Sequence, residues 1–494
     1  MAKLLEGDRM ATLLKKFGWK SFFSCLVLGA VGATCLASQA AVKSGVCDGC
    51  NVIFIGLDAL QAKRLGVRGY RSETADGRVS ITPNLDRFAK RSVDFSQAIS
   101  PASWTVPTYL SVFSSTFPSQ HGLTNRFKTF SKEKKELNNF TNRTPEILVA
   151  AQIYKALGYR TAGFTGDAGV SAVLGYGKGF DEYFDKERFG GLATSISEYK
   201  KWNLNSPAEK FFLFLHGYDS HSQFQSQGPG LFPLNNLDKE YREKLSSKAQ
   251  EELRERALKG EAIRPSDTDV VAWNRWYDNR VAQADREFGK LIEDLEGRGL
   301  LKNSVVVVFA DHGTEFFEHD GIDHGHTLYD ELVHVPLLIF SPQLKAGRVV
   351  KEQVSTIDIL PTVLDITGAH PPKELSNLLS SQMKGRSLAS AVRGKSIESK
   401  TVYMETDLRN FVHLRGIRSA SGWKYTMNLN SGTEELYNLN QDPKERTNLS
   451  KDNKAKFQLG LLRGELLKHI KENLGGTIAP MSDACLPVYQ GQCE

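Results

Sequence analysis

Between Asn303 and Phe340 the chain reads NSVVVVFADHGTEFFEHDGIDHGHTLYDELVHVPLLIF. Four valines closed by Phe309 suit a strand buried on both faces, and open α/β sheets place ligand sites beyond the C-terminal ends of such strands. Asp311 and His312 emerge there together, a carboxylate and a neutral imidazole suited to a divalent cation. His319, His324, His326 and His334 follow closely. The chemistry such a pattern offers is metal-assisted hydrolysis.

Three further groupings bear on the same chemistry. The apolar run Asn51–Leu57 ends at Asp58, which either joins a charged site or caps the next helix. In Trp104-Thr105-Val106-Pro107-Thr108-Tyr109 the proline fits a first helical turn, placing Thr105 near a helix N-terminus. Free N–H groups there favour an ionised hydroxyl or a bound oxyanion; the plainer alternative is a helix cap. The third grouping, His216-Gly-Tyr-Asp219-Ser-His221, follows the apolar run from Phe211 to Leu215. Seven of the eleven histidines fall in the windows 216–221 and 312–334, so these segments are expected to meet. Asp219, His221 and His324 make a three-ligand set for a second metal with one open position. His216, His221 and His324 contacting a substrate oxyanion is the competing arrangement. His319 and His326 come second in line, and His334, beside an apolar run, reads as a satisfied core residue. His121, His370, His413 and His469 carry no functional signal.

These residues need a scaffold. Strand-like runs at Asn51–Leu57, Thr161–Thr165, Phe211–His216, Val305–Phe309 and Val335–Phe340 alternate with helical patterns. Thr82-Pro83 and Thr144-Pro145 each open a helix, the second running to Leu157 and stopping at Gly158, and Val281–Leu295 has helical periodicity. Alternation of this kind predicts an α/β fold, a mostly parallel central sheet flanked by helices on both faces. Residues 225–275 are polar and weakly patterned, an insertion or cap. Thr401–Glu405, Leu414–Arg418 and Trp423–Leu429 predict a small C-terminal antiparallel sheet, closed by a terminal helix over Asn453–Glu472. The expected organisation is a leader over 1–40, a main domain over 48–385, a subdomain over 386–475 and a cysteine-containing tail over 476–494.

With 494 residues, 40% apolar and 24% charged, the chain has an ordinary globular composition. Residues 1–40 hold five basic and two acidic side chains, +3 of the formal +6, leaving only +3 and no argument for nucleic-acid binding. Lys15, Lys16 and Lys20 precede an apolar run from Phe22 to Leu36 and the small residues before Ala41, the pattern of a secretory signal cleaved after Ala40. Met10 is an alternative start, and an uncleaved anchor the alternative reading. The expected location is periplasmic or secreted, with no transmembrane span in the mature chain. Cys47, Cys50, Cys485 and Cys493 remain after cleavage, an even number that predicts disulfides, either local or joining the two ends. A redox or zinc role for Cys47-Asp-Gly-Cys50 lacks a supporting context.

Several motifs together resemble the sulfatases of the alkaline phosphatase superfamily. They are Asn51–Asp58, Thr82-Pro83-Asn84-Leu85-Asp86, Thr105-x-Pro107-Thr108, Pro118-x-x-His121-Gly122, Asp311-His312-Gly313, His324-Gly325, Leu328-Tyr329-Asp330-Glu331, Val335-Pro336-Leu337, Asp358–Thr362, and Glu435-Leu436-Tyr437 with Asp442-Pro443-x-Glu445. The order spans about residues 50 to 470. The resemblance implies Asp58, Thr105, Asp311 and His312 as ligands of one divalent metal, with Thr105 as nucleophile. It also has departures. The family's cysteine or serine, the formylglycine precursor, is Thr105; its arginine is Tyr109; and a second acid after the first strand is Ala59. The lysine and histidine expected after Gly158-Tyr159-Arg160-Thr161-Ala162 are absent. A threonine nucleophile resembles the phosphodiesterase and phosphotransferase branches instead. The expectation is a hydrolase of phosphate or sulfate esters, acting on a small-molecule, glycan or lipid ester. One or two metal ions are expected, zinc or manganese before calcium. Sulfate-ester hydrolysis without formylglycine and a non-catalytic binding protein are the rival readings.

Overall fold

A computed structural model of the chain describes residues 46–74, 77–130, 135–144, 146–203, 209–221, 252–253, 256, 266–408 and 412–473. The leader over 1–40, most of the 225–275 insertion, Pro145, Cys485, Cys493 and the 476–494 tail lie outside the described residues.

Eight strands form the central sheet: β1 (Asn51–Leu57), β2 (Val93–Phe95), β3 (Arg160–Phe164), β4 (Glu182–Phe184), β5 (Phe211–Gly217), β6 (Ser304–Phe309), β7 (Leu337–Phe340) and β8 (Arg348–Val350). Their order is β8-β2-β7-β6-β1-β5-β3-β4. All pairings are parallel except those of β7, which runs antiparallel to β6 and β2. Both faces are covered, as the unbroken apolar strands require. Val52 and Phe54 of β1 face one core with Val305 and Val307 of β6 and helices α2 (Thr105–Ser114), α3 (Ala150–Ala156) and α6 (Ile359–Ile366). Ile53, Ile55 and Leu57 face the other, under α1 (Pro83–Ala89), α4 (Leu192–Lys201) and α5 (Asp267–Gly297).

Beyond the main sheet, β9 (Val402–Leu408), β10 (Val412–Arg418), β11 (Trp423–Asn428) and β12 (Glu434–Asn438) form an antiparallel meander. Ile417, Tyr425 and Leu436 pack there against Leu459, Leu462, Leu466 and Ile470 of the terminal helix α8 (Lys456–Asn473). No helix among the described residues is long and apolar enough to cross a membrane.

Several sequence expectations shift. The helix expected from Thr144-Pro145 begins only at Ala150, and Thr144 instead closes a short helix over Phe140–Arg143. Gln382, from α7 (Lys373–Gln382), accepts the Leu148 N–H (2.9 Å) and donates to the Leu148 carbonyl (2.8 Å), so that backbone is spent on a side chain rather than on a helix. The expected strand Val335–Phe340 is broken at Pro336, which has no N–H for a ladder, into His334–Val335 and β7. Helix α5 extends back through the end of the predicted insertion to Asp267, where Ser266 and Asp269 cap it reciprocally (3.2 and 3.1 Å). Strand β12 was not expected.

Cys47 and Cys50 are disulfide-bonded, with Cα atoms 5.5 Å apart. The N–H groups of Cys47 and Gly49 donate to Ile366 and Thr367 (2.8 and 2.9 Å), fixing the start of β1 to the end of α6. At the core's centre, the Phe54 ring lies 5.2 Å from Phe212, 6.0 Å from Phe309 and 6.3 Å from Phe113. Phe54→Ala is expected to lower the unfolding free energy by about 3–5 kcal/mol, measured by urea denaturation, because the surrounding strands cannot close over the void.

Candidate active site

The register of β1 builds the site. Gly56 pairs with Phe309 of β6 and with His216 of β5. Asp58 and Asp311 each lie two residues past a paired position, so two carboxylates emerge side by side, next to His216. Ala59 turns the chain away in the left-handed region (φ 56°), and its N–H donates to Asp311 Oδ1 (3.2 Å). The His312 N–H donates to the same oxygen (2.9 Å). Gly313 then passes so near the Glu331 carbonyl that any Cβ would collide with it, which is why the segment reads Asp-His-Gly.

His312 Nδ1–H donates to the Gly313 carbonyl (2.6 Å), leaving Nε2 as an acceptor. That nitrogen lies 3.2 Å from Thr105 Oγ1, 3.3 Å from Asp311 Oδ2 and 3.9 Å from Asp58 Oδ1. Thr105 is the first residue of α2, preceded by an extended Trp104, and its hydroxyl lies 3.4 Å from Asp58 Oδ2. His216 Nε2 lies 3.3 Å from that same oxygen. Burial lowers the His216 pKa to about 3, so the ring is neutral. Burial first, and then the Asp311 charge, push the Asp58 carboxyl well above its ordinary range.

One ligand atom from each of Asp58, Asp311 and His312 falls within 4.8 Å of the others. Asp58 Oδ1 and Asp311 Oδ2 are buried without hydrogen-bond partners. Two buried carboxylates with orphaned oxygens beside an imidazole are a donor set that fits a divalent cation, and Thr105 Oγ1 lies next to them.

His221 and His324 adjoin this cluster. Their Nε2 atoms lie 3.0 Å apart, and His221 Nε2 is 3.9 Å from Asp58 Oδ1. His324 also lies 3.3 Å from Asp323 Oδ1 and packs its ring 4.3 Å from that of His312. Asp219 is turned to the N-terminus of α4, where Oδ2 accepts the Leu192 N–H (2.6 Å) and burial raises its pKa to about 6. His319 and His326 belong to a different network. Glu315 accepts from His326 (3.1 Å) and from the His319 N–H (2.9 Å), while His319 Nδ1 meets Glu331 (2.5 Å).

Two positioning residues were given no role from the sequence, although His121 stands in one of its motifs. Gly169 lies against the Thr105 side chain, where a Cβ would come 2.7 Å from the threonine methyl. His121 Nε2 lies 3.2 Å from the Pro107 carbonyl and 3.1 Å from Ser111 Oγ, while Nδ1 accepts the Leu123 N–H (3.1 Å). His121 thus braces the first turn of the helix that begins with Thr105.

The Sulfatase family model matches residues 50–369, and the model described as N-sulphoglucosamine sulphohydrolase, C-terminal, matches residues 318–472. The chain belongs to the sulfatase family. A sulfatase of Formosa agariphila is 22% identical over 466 residues, covering 83% of this chain and 85% of that protein. Arylsulfatase K of Canis lupus familiaris is 38% identical over 112 residues, 22% of this chain and 21% of the relative, so the match spans about a fifth of that protein's length. Among solved structures, the phosphonate monoester hydrolase of Silicibacter pomeroyi superposes with a TM-score of 0.63 at 17% identity, covering 86% of this chain and 96% of its own. A protein in complex with its substrate D-glucosamine-2-N,6-O-disulfate gives 0.64 at 17% identity, covering 88% and 100%. These structures share the α/β architecture.

Two outcomes follow from the geometry. Zinc or manganese added to metal-stripped protein is expected to stabilise it by about 2.7 kcal/mol at a hundredfold excess over Kd, with the gain lost in Asp58→Asn, as thermal denaturation reads. The second concerns acid. Burial lowers the His121 pKa from 6.5 to about 3. Above pH 6.5 the folded and unfolded chains are both neutral there, and the stability is full. As pH falls from 6.5 towards 3, the unfolded chain takes up a proton that the folded chain refuses, so stability declines. Across that window, His121→Gln is expected to shallow the slope of unfolding free energy by about 1.4 kcal/mol per pH unit in urea titrations.

Proposed function

We propose that this sulfatase-family protein is an exported, metal-dependent hydrolase that cleaves phosphate esters through Thr105. The observation that carries this reading is the placement of a threonine hydroxyl, at a helix N-terminus, 3.4 Å from Asp58 Oδ2 and 3.2 Å from His312 Nε2. A threonine cannot become formylglycine, so its own oxygen must serve as the attacking atom. A divalent cation bound by Asp58, Asp311, His312 and Thr105 would lower the hydroxyl's pKa and neutralise charge on the transferred group. Asp58 Oδ2 takes the hydroxyl proton as Oγ attacks phosphorus. The Oγ–P bond forms as the bond to the leaving alkoxide breaks, and a protonated His221 or His324 supplies that alkoxide with its proton. Water, giving a proton to the histidine that lost one, then attacks phosphorus; the Oγ–P bond breaks and Asp58 returns its proton to Oγ, releasing phosphate and restoring the hydroxyl. His216 holds Asp58 throughout, and His221 and His324 face the transferred oxyanion or a second ion. The N-terminal leader pattern and the Cys47–Cys50 disulfide support export.

The second reading, sulfate-ester hydrolysis by the same threonine, is favoured by the family match itself. Assays on nitrophenyl phosphate, bis-nitrophenyl phosphate and nitrophenyl sulfate, with each metal in turn, separate the two. Phosphoester turnover is expected, falling about a thousandfold or more in Thr105→Ala, with phosphothreonine trapped at residue 105 after acid quenching. Turnover of the sulfate alone overturns the phosphoryl reading.

A further inference from the structure

A cleft of about 760 Å³ is lined by none of the active-site residues. It opens between the segment after β6, the edge of the main sheet, and the turns of the C-terminal meander. Its lining carries five lysines and arginines against three carboxylates. The carboxylates are already engaged. Glu318 pairs with Lys63 (2.8 Å), Asp330 with both Arg418 (3.2 Å) and the buried Lys424 (2.9 Å), and Glu331 with His319 (2.5 Å).

The His319 ring adds another positive charge. Its Nδ1 faces the Glu331 carboxylate, and its Nε2 faces the carbonyls of Lys444 and Glu445 (3.0 and 3.1 Å). Both nitrogens meet only acceptors, so both carry protons, and the ring is an imidazolium. Lys351 and Lys444 line the cleft with no ion-pair partner among the described residues.

Arg418 points to what the cleft holds. It is 8% exposed, and its Nη2 reaches Gln97 Oε1 (3.0 Å) and Asp330 Oδ2 (3.2 Å). Its Nε and Nη1 are buried with no acceptor. A guanidinium with two unmet donors beside a cationic cleft is poised for an acceptor that brings negative charge.

We propose that this cleft is a second anion site, separate from the active site, in which Arg418, Lys351 and Lys444 bind a tetrahedral oxyanion, a sulfate or phosphate group. The group arrives either as the free ion or as a substituent on a larger anionic molecule such as a sulfated sugar. The site does not depend on the hydrolytic reading, since it shares no residue with it.

Calorimetric titration of the full-length mature protein with inorganic sulfate, and with a sulfated disaccharide, tests the site. Asp58→Asn, which disables the active-site cluster, is expected to retain binding with a Kd of about 1 mM or tighter. Lys351→Gln combined with Lys444→Gln is expected to weaken that binding about tenfold while leaving nitrophenyl-ester turnover within about twofold. Arg418→Lys, which keeps a charge for Asp330, is expected to weaken it as well. Tighter binding of the disaccharide identifies a substituent as the ligand, and equal binding identifies the free ion. No binding by Asp58→Asn, or binding that the paired lysine substitution leaves unchanged, overturns the site. Loss of ester hydrolysis in Thr105→Ala bears on the hydrolytic reading alone.

Discussion

The two carboxylates that parallel pairing of β1 and β6 sets side by side are the constraint around which the molecule is organised. Like charges buried together repel, and each loses its hydration, so an arrangement of this kind persists only when the neighbourhood supplies compensation. Here the compensation is partial by construction. One Asp311 oxygen is satisfied by two backbone N–H groups, and one Asp58 oxygen by Thr105 and His216, while each carboxylate keeps an oxygen with no partner. The unfinished half of each carboxylate marks a candidate place for a cation, and the Thr105 hydroxyl lies beside it.

Thr105 is held by layers of contacts from residues that lie behind the site. Thr105 stands at the start of a helix whose ten residues are all buried, so the helix cannot shift without disturbing the core. His121 braces the Pro107 carbonyl and the Ser111 hydroxyl of that helix, and Gly169 closes over the threonine methyl. A secondary hydroxyl in so fixed a setting has little freedom left to lose.

The strands that carry the site were legible because each combines an unbroken apolar run with a polar residue at its C-terminal end. Asp58, His216, Asp311 and His312 all follow that rule, and their convergence could be anticipated from it. Thr105 was legible through Pro107. Asp219 shows where residue type and spacing fail: it lies between two clustered histidines in sequence, yet a nearby helix N-terminus captures its carboxylate. Gly169 was invisible, and the role of His121 in its motif could not be read, because both act purely through space. The helix expected after Pro145 failed for a similar reason, since a glutamine more than two hundred residues away competes for its backbone. Strand β12 was missed because two half-buried glutamates are followed by the buried pair Leu436 and Tyr437, a pattern with no period of two.

The central position of β1 has a consequence for how the chain comes into being. The bond from Ala59 to Asp311 spans 252 residues, and β1 also waits for β5, made after some 150 intervening residues. The strand made first therefore waits for both of its neighbours, and a growing chain holds no pair of site carboxylates until the segment through His312 has emerged. Such long-range pairing is slow and leaves apolar strands unpaired in the meantime. The carboxylate pair is therefore assembled late, once strands made far apart in the chain have been laid on either side of β1.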